Sequence, residues 1–262
     1  MRYRRILFYR GTIYFIAVLL AVGSVIYSGR VTVIKELEMT TLDAVIIYAM
    51  IGLKRLPLPF LIAYVNMHRF KYDFKYQYLV RGKGRLRLWY CHIINVAVDC
   101  VVVTALMMLT GAVTGYIICD ENVDFYSSVS VCMDEFMEYG MAVPYNMNIP
   151  AMIIEMFVIS SGELVARTLF AWLIYWMANS KSISLLGVII LSNFSIGDMG
   201  VRGIVWFGNL GGSMTRIKYY SALYFPAQVM EILLLLALII MLVLLTAQIF
   251  VPAKEFIKKQ NS

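Results

Sequence analysis

The chain has 262 residues, of which 61% are hydrophobic and only 15% charged. Soluble domains run near a quarter charged, so a soluble globular domain is excluded. A net charge of +7 does not point to nucleic acid either, because the basic residues sit at the edges of apolar runs, where topology and anionic headgroups account for them.

Several of those runs approach or exceed the roughly 20 residues that cross a bilayer, and their order describes an all-α polytopic membrane protein. Residues 1–10 (MRYRRILFYR) are basic and aromatic, the composition of a short interfacial helix on the cytoplasmic side. A first span follows from Gly11 to Ser28. It ends without an Ala-x-Ala pattern, so the reading is a retained span and not a cleaved signal. A mixed-charge loop, Gly29 to Leu42, comes next.

Residues 43–67 admit two arrangements. An apolar run from Ala44 to Leu53 meets Lys54 and Arg55, then Leu56-Pro57-Leu58-Pro59, then a second apolar run from Phe60 to Met67. Either this is one kinked span, or the first half lies along the outer interface and the crossing starts near Pro57. The second arrangement is preferred, since it lets both cations reach headgroups. Both end inside.

The segment His68 to Trp89 carries seven Lys/Arg and one acidic residue, the strongest mark of a cytoplasmic face. Phe70, Phe74, Tyr76, Tyr78 and Leu79 are mixed with the charges, which a solvated linker does not need. A third span runs from Tyr90 to Ile118. Its exit, Asp120 to Asn148, has six carboxylates and no Lys or Arg, so residues 119–149 are read as an external acidic loop. Cys119 and Cys132 lie in this loop, where a disulfide and two free thiols are both open. Cys91 and Cys100 are expected to be packing residues of the third span.

Span four covers Pro150 to Ala178, and Asn179-Ser180-Lys181 is a short return into span five. Span five loses its apolar character at Asn193. From 193 to 222 the chain alternates apolar pieces with glycines around Asp198 and Arg202, the pattern of a broken, re-entrant outer segment. The last span, Phe225 to Val251, is followed by Lys254, Lys258 and Lys259. Six crossings with both termini inside leave 15 Lys/Arg in cytoplasmic pieces, five in external pieces and three within spans.

Catalytic signatures are thin. There is no GxxxxGK[ST], GxSxG or HExxH, and His68 and His92 are the only histidines. Glu155, Glu163 and Arg167, at i, i+8 and i+12, share a helical face in span four. Intramembrane charges are costly and count as functional suspects, although Glu163 and Arg167 can simply pair. Asp99, inside span three, needs a partner. Glu163-Leu-Val-Ala-Arg167 has the ExxxR form of intramembrane CAAX-type proteases. Gly162 stands where those families double the glutamate, and no histidine follows His92.

With that order of parts, the chain resembles the transmembrane subunit of an ABC-2-type exporter, in particular the small permeases of peptide-antibiotic export or immunity systems of Gram-positive bacteria. Tyr78-Leu-Val-Arg81-Gly82-Lys-Gly-Arg85-Leu-Arg-Leu-Trp89 is similar to the place where a coupling helix ends and span three begins. The resemblance implies a multi-pass protein of the bacterial cell membrane that acts without catalysing a reaction itself. It implies a second permease copy or homologue and a dimer of ABC ATPase subunits, which bind the ATP and Mg while this chain binds no cofactor. Arg69, Phe70, Lys71, Phe74, Tyr78 and Arg81 would dock the ATPase, and a peptide or amphipathic substrate would move outward. Two other classes remain: an immunity or interaction protein that sequesters a toxin without transport, and a membrane enzyme built on Glu163.

Overall fold

The computed structural model describes residues 2–34, 39–45, 57–70, 85–119, 149–178, 180–193 and 226–253. Every regular element among them is helical. The helices are α1 (Arg2–Ile34), a single turn α2 (Thr41–Asp43), α3 (Pro57–Arg69), α4 (Arg85–Ile118), α5 (Ile149–Ala178), α6 (Lys181–Asn193) and α7 (Pro226–Ala253).

Three of these helices contain stretches long and apolar enough to cross a membrane: Leu7–Tyr27, Leu86–Ile118 and Met156–Ala178. The described side chains of α7 add the apolar piece Ile240–Val251. Helices α3 and α6 have 13 residues each, about 20 Å at 1.5 Å per residue, which is less than the hydrocarbon thickness.

Proline sets several of the starts. Pro57 opens α3, with Pro59 two residues on, Pro150 is the second residue of α5, and Pro226 opens α7. Amides in the first turn have no intrahelical acceptor, so proline loses nothing there and its fixed φ suits the helix. Helix α3 starts at Pro57, and residues 46–56, on which the choice between the two arrangements of 43–67 depends, lie outside the described ones.

At the N-terminus the structure corrects the expected division. No separate interfacial helix is set off over residues 1–10, because Arg2–Ile34 is one helix that also runs past Ser28. Its sequence contains no proline to break it, and Arg10 at the expected junction is held inside the bundle, as described below.

Helix α1 packs chiefly along α4, which also lies against α5, and α5 in turn packs on α6 and α7. On α1 the buried residues Ile13, Ala17, Ala21 and Val25 recur every four positions, one face of a helix. The two alanines let the neighbouring backbone come close. The opposite face exposes Phe8, Phe15, Leu19 and Ile26, apolar side chains suited to lipid. Helices α5 and α6, which end at Ala178 and start at Lys181, pack as a pair, and the Ser184 hydroxyl donates across it to the Ala171 carbonyl.

Side-chain contacts place alternate helix termini at one end of the bundle. Arg10 near the start of α1 meets Arg69 at the end of α3 through α4. Trp89 early in α4 packs on Trp176 late in α5, and His68 of α3 meets Lys181 at the start of α6. Gln248 late in α7 donates to the Tyr90 hydroxyl. At the other end, Thr41 of α2 and Ala44 just after it lie against Gly115 of α4.

Candidate functional site

At the first of these ends three helices are joined by a buried polar node. Asn95 and Asp99 lie one turn apart on α4, Arg10 and Tyr14 one turn apart on α1, and Asn66 and Arg69 three apart on α3. These i, i+3 and i, i+4 spacings put each pair on one face of its helix.

Asp99 is fully buried. Its Oδ1 accepts from Arg10 Nε at 2.8 Å and from the Tyr14 hydroxyl at 3.1 Å. Its Oδ2 accepts from Arg69 Nη1 at 3.0 Å. Asn95 Oδ1 accepts from both guanidiniums, Arg10 Nη2 at 3.1 Å and Arg69 Nη2 at 2.9 Å. The Asn95 amide donates to the Cys91 carbonyl at 2.6 Å, and the Asn66 amide to the Ile62 carbonyl at 3.0 Å. Each asparagine is therefore oriented by its own helix, which leaves its amide oxygen for arginine. A carboxylate buried in this way persists because it is paired; removing one partner of such a pair costs several kcal/mol.

An aromatic group covers the same point. The Arg69 guanidinium lies 4.7 Å from the centroid of the Phe70 ring, a cation–π arrangement. Phe70 stacks on His92 at 4.0 Å and meets the edge of Trp172 at 5.5 Å. His92 in turn touches Trp172 and Trp176 at 5.4 and 5.9 Å. Next to this group, Lys181 Nζ approaches His68 Nε2 at 3.2 Å, while His68 Nδ1 contacts the Tyr64 carbonyl. The chain thus leaves α3 from a residue pair held on one side by charge and on the other by stacked rings.

Among the residues expected to dock a partner, Arg69 and Phe70 are both buried. Their described contacts run to Asp99 and Asn95 for the guanidinium and to His92 and Trp172 for the ring. Lys71, Phe74, Tyr78 and Arg81 lie outside the described residues, as do Asp198 and Arg202.

On α5, Arg167 Nη2 donates to Glu163 Oε1 at 2.7 Å with both side chains buried, so the i, i+4 pair forms. Glu155 lies in the same helix, two turns earlier. Thr168, one residue past Arg167, accepts from the Cys100 thiol of α4 at 3.6 Å and donates to the Leu164 carbonyl. Cys100 is buried and Cys91 exposed. Cys119 is a free thiol, and Cys132, its expected partner, lies outside the described residues. Burial, with a smaller contribution from Asp43, pushes the Cys119 thiol from its ordinary 9.0 up to about 11.

Sequence reasoning flagged Asp99 as needing a partner and did not find Arg10, Tyr14, Asn66 or Asn95. The available signal was Asn95 one turn before Asp99, and Asn66 one turn before Arg69, each an uncharged polar residue in an apolar run. Among the described residues no group of three His, Cys, Asp or Glu side chains is placed to hold a metal. Searches with this chain find no matching family model, no matching curated protein and no matching solved structure.

Proposed function

We propose that the chain is the membrane-spanning permease subunit of an ATP-driven exporter of the ABC-2 type, working in the bacterial cell membrane with six crossings and both termini in the cytoplasm. A separate ATPase dimer supplies the energy, a second permease completes the pathway, and the cargo is a peptide or other amphipathic molecule.

The observation that carries this reading is the rooting of the basic segment. Arg69 and Phe70 are its first residues past His68, and they are tied to α1, α4 and α5 by Asp99, Asn95, Arg10, His92 and Trp172. A segment anchored so firmly at its root turns a push on its distal part into rigid-body motion of the helices behind it. A flexible linker would absorb that push. The alternate helix termini at the end that gathers Arg10, Arg69 and Lys181 support the same orientation, because basic residues favour the cytoplasmic side.

The distal residues Phe74 and Tyr78 are then the docking side chains. Replacing both with alanine releases the ATPase while the permease still inserts into the membrane. Unchanged co-purification of the ATPase with the double variant would contradict the docking assignment.

A further inference from the structure

One contact between helices forms in a single protonation state. His68, just before the Arg69–Phe70 root, has its Nδ1 3.1 Å from the Tyr64 carbonyl oxygen. Its Nε2 lies 3.2 Å from Nζ of Lys181, the first residue of α6. A carbonyl oxygen only accepts and an ammonium only donates. The ring proton therefore lies on Nδ1, and Nε2 is bare. A protonated imidazole carries N–H groups on both nitrogens, so it would turn a donor and a positive charge toward a second cation.

The surroundings decide which partner gives way. The His68 ring lies 4.4 Å from the Tyr64 ring, which stacks on Phe60 at 6.3 Å. The three form a column along one face of α3, and an imidazolium stays against it as a cation on an aromatic face. Lys181 ends a flexible four-carbon stem at the N-terminus of α6, where the helix dipole does not favour a cation. Helices α1, α4, α5 and α6 all pack on α3. Among the described residues, Lys181 is the charged or titratable group that they bring to the His68 ring. On α3 itself these groups are Tyr64 and the next residue, Arg69, whose guanidinium turns to Asp99. His68 is half-buried and Tyr64 exposed, so protons reach the ring from solvent.

We infer that His68 and Lys181 form a proton-operated latch between the end of α3 and the start of α6. It is closed while the imidazole is neutral and opens when the ring gains a proton. The open form binds one proton more, so acid drives opening and alkali closure. Histidine changes charge between about pH 5 and 8, so moderate acidification suffices. Opening separates α6 from the root of the basic segment, while the Ser184 hydroxyl still ties α6 to the Ala171 carbonyl of α5. The latch acts inside the bundle whether or not the chain transports a cargo.

Two measurements on the full chain in mild detergent test it. The chain has two histidines, so nitrogen NMR of histidine-labelled protein resolves both rings and His68→Gln assigns them. At about pH 8 the His68 proton is expected on Nδ1; a proton on Nε2 in its place would overturn the latch. For the second, spin labels at Ile94→Cys of α4 and Ile183→Cys of α6, both exposed positions, are read without the native cysteines. One distance is expected at about pH 8, and a longer one becomes the major population at about pH 5, reversibly. His68→Gln keeps an oxygen that accepts from lysine but does not titrate, so it holds the first distance at both values. Lys181→Met, of similar length without the charge, removes the pH dependence. A distance unchanged by acid, or acid lengthening that survives in either variant, would overturn the inference. Should His68→Gln fail to fold, Lys181→Met carries the distance test alone.

Discussion

Asp99 uses two oxygens to hold two arginines and a tyrosine from two other helices, so its loss is felt at three points at once. Asp99→Ala removes the carboxylate that both guanidiniums share and is expected to cost about 3–5 kcal/mol, the scale of a broken buried ion pair. Thermal unfolding in detergent checks it, and a loss under about 1 kcal/mol would place the node among weak surface pairs. Arg10→Gln is expected to cost less than Arg69→Gln, since the Arg10 side chain is partly open and Arg69 is closed in.

Cys119 provides a residue-scale test of the opposite end. The thiolate is the reactive form. With the thiol raised from 9.0 to about 11, the thiolate fraction at pH 8 falls roughly a hundredfold below that of an ordinary cysteine. In a variant keeping Cys119 alone, alkylation is slow at pH 8 and its rate climbs about tenfold per pH unit until near the raised value. A rate that levels off by pH 9.5 would contradict the burial assigned to this thiol.

At the scale of elements, the short turn α2 is stabilised out of proportion to its length. The Thr40 hydroxyl accepts from the Asp43 amide at 3.1 Å while Asp43 Oδ2 accepts from the Thr40 amide at 2.9 Å, a reciprocal cap. Thr40→Ala is expected to cost about 1 kcal/mol. The turn lies so close to α4 that a Cβ on Gly115 would stand 2.6 Å from the Ala44 Cβ and 3.3 Å from the Thr41 backbone. Gly115→Ala therefore forces the turn outward and is expected to cost about 1–3 kcal/mol, despite alanine's better helix propensity. A stabilised Gly115→Ala variant, read by the same thermal melts, would show that the turn yields freely.

The elements differ in how plainly the sequence announces them. The start of α3 was legible because proline in the first turn has a single physical meaning. The Glu163–Arg167 pair was legible because both partners lie on one helix at a spacing of four. The length of α1 was not: a basic, aromatic start looks interfacial when read alone. The helix runs on through Arg10 with no proline to break it, and Arg10 itself pairs with a carboxylate 89 positions away. Long-range pairs of this kind leave no local period, and for that reason Asn66, Asn95 and Tyr14 stayed hidden while Asp99 did not. The burial of Arg69 and Phe70 was hidden for the same reason, since composition cannot tell which way a charge in a basic segment faces.

At the scale of the whole molecule, the node and the stacked rings sit together at one end, where the ends of α3 and α5 meet the starts of α1, α4 and α6. Removing the stacking at Phe70 should loosen this junction without removing a charge. Phe70→Ala is expected to cost about 3–5 kcal/mol as a large-to-small change among buried aromatics. If the proposed exporter reading holds, it should also uncouple ATP hydrolysis from transport before it releases the ATPase, because Phe74 and Tyr78, the docking residues proposed above, are unchanged. Loss of ATPase binding in Phe70→Ala, with the bundle still folded, would move the docking surface back to the root of the segment.

The central claim is that this chain converts the work of a separate ATPase into helix motion, and the most direct test is the identity of what it binds. The chain is drawn from its native membranes in mild detergent and every stoichiometric partner is identified. The account predicts a soluble ATPase bearing a phosphate-binding loop, recovered with the wild type and lost with the Phe74→Ala/Tyr78→Ala variant. A clean, folded preparation with no ATPase would contradict it and leave a membrane protein that acts without one.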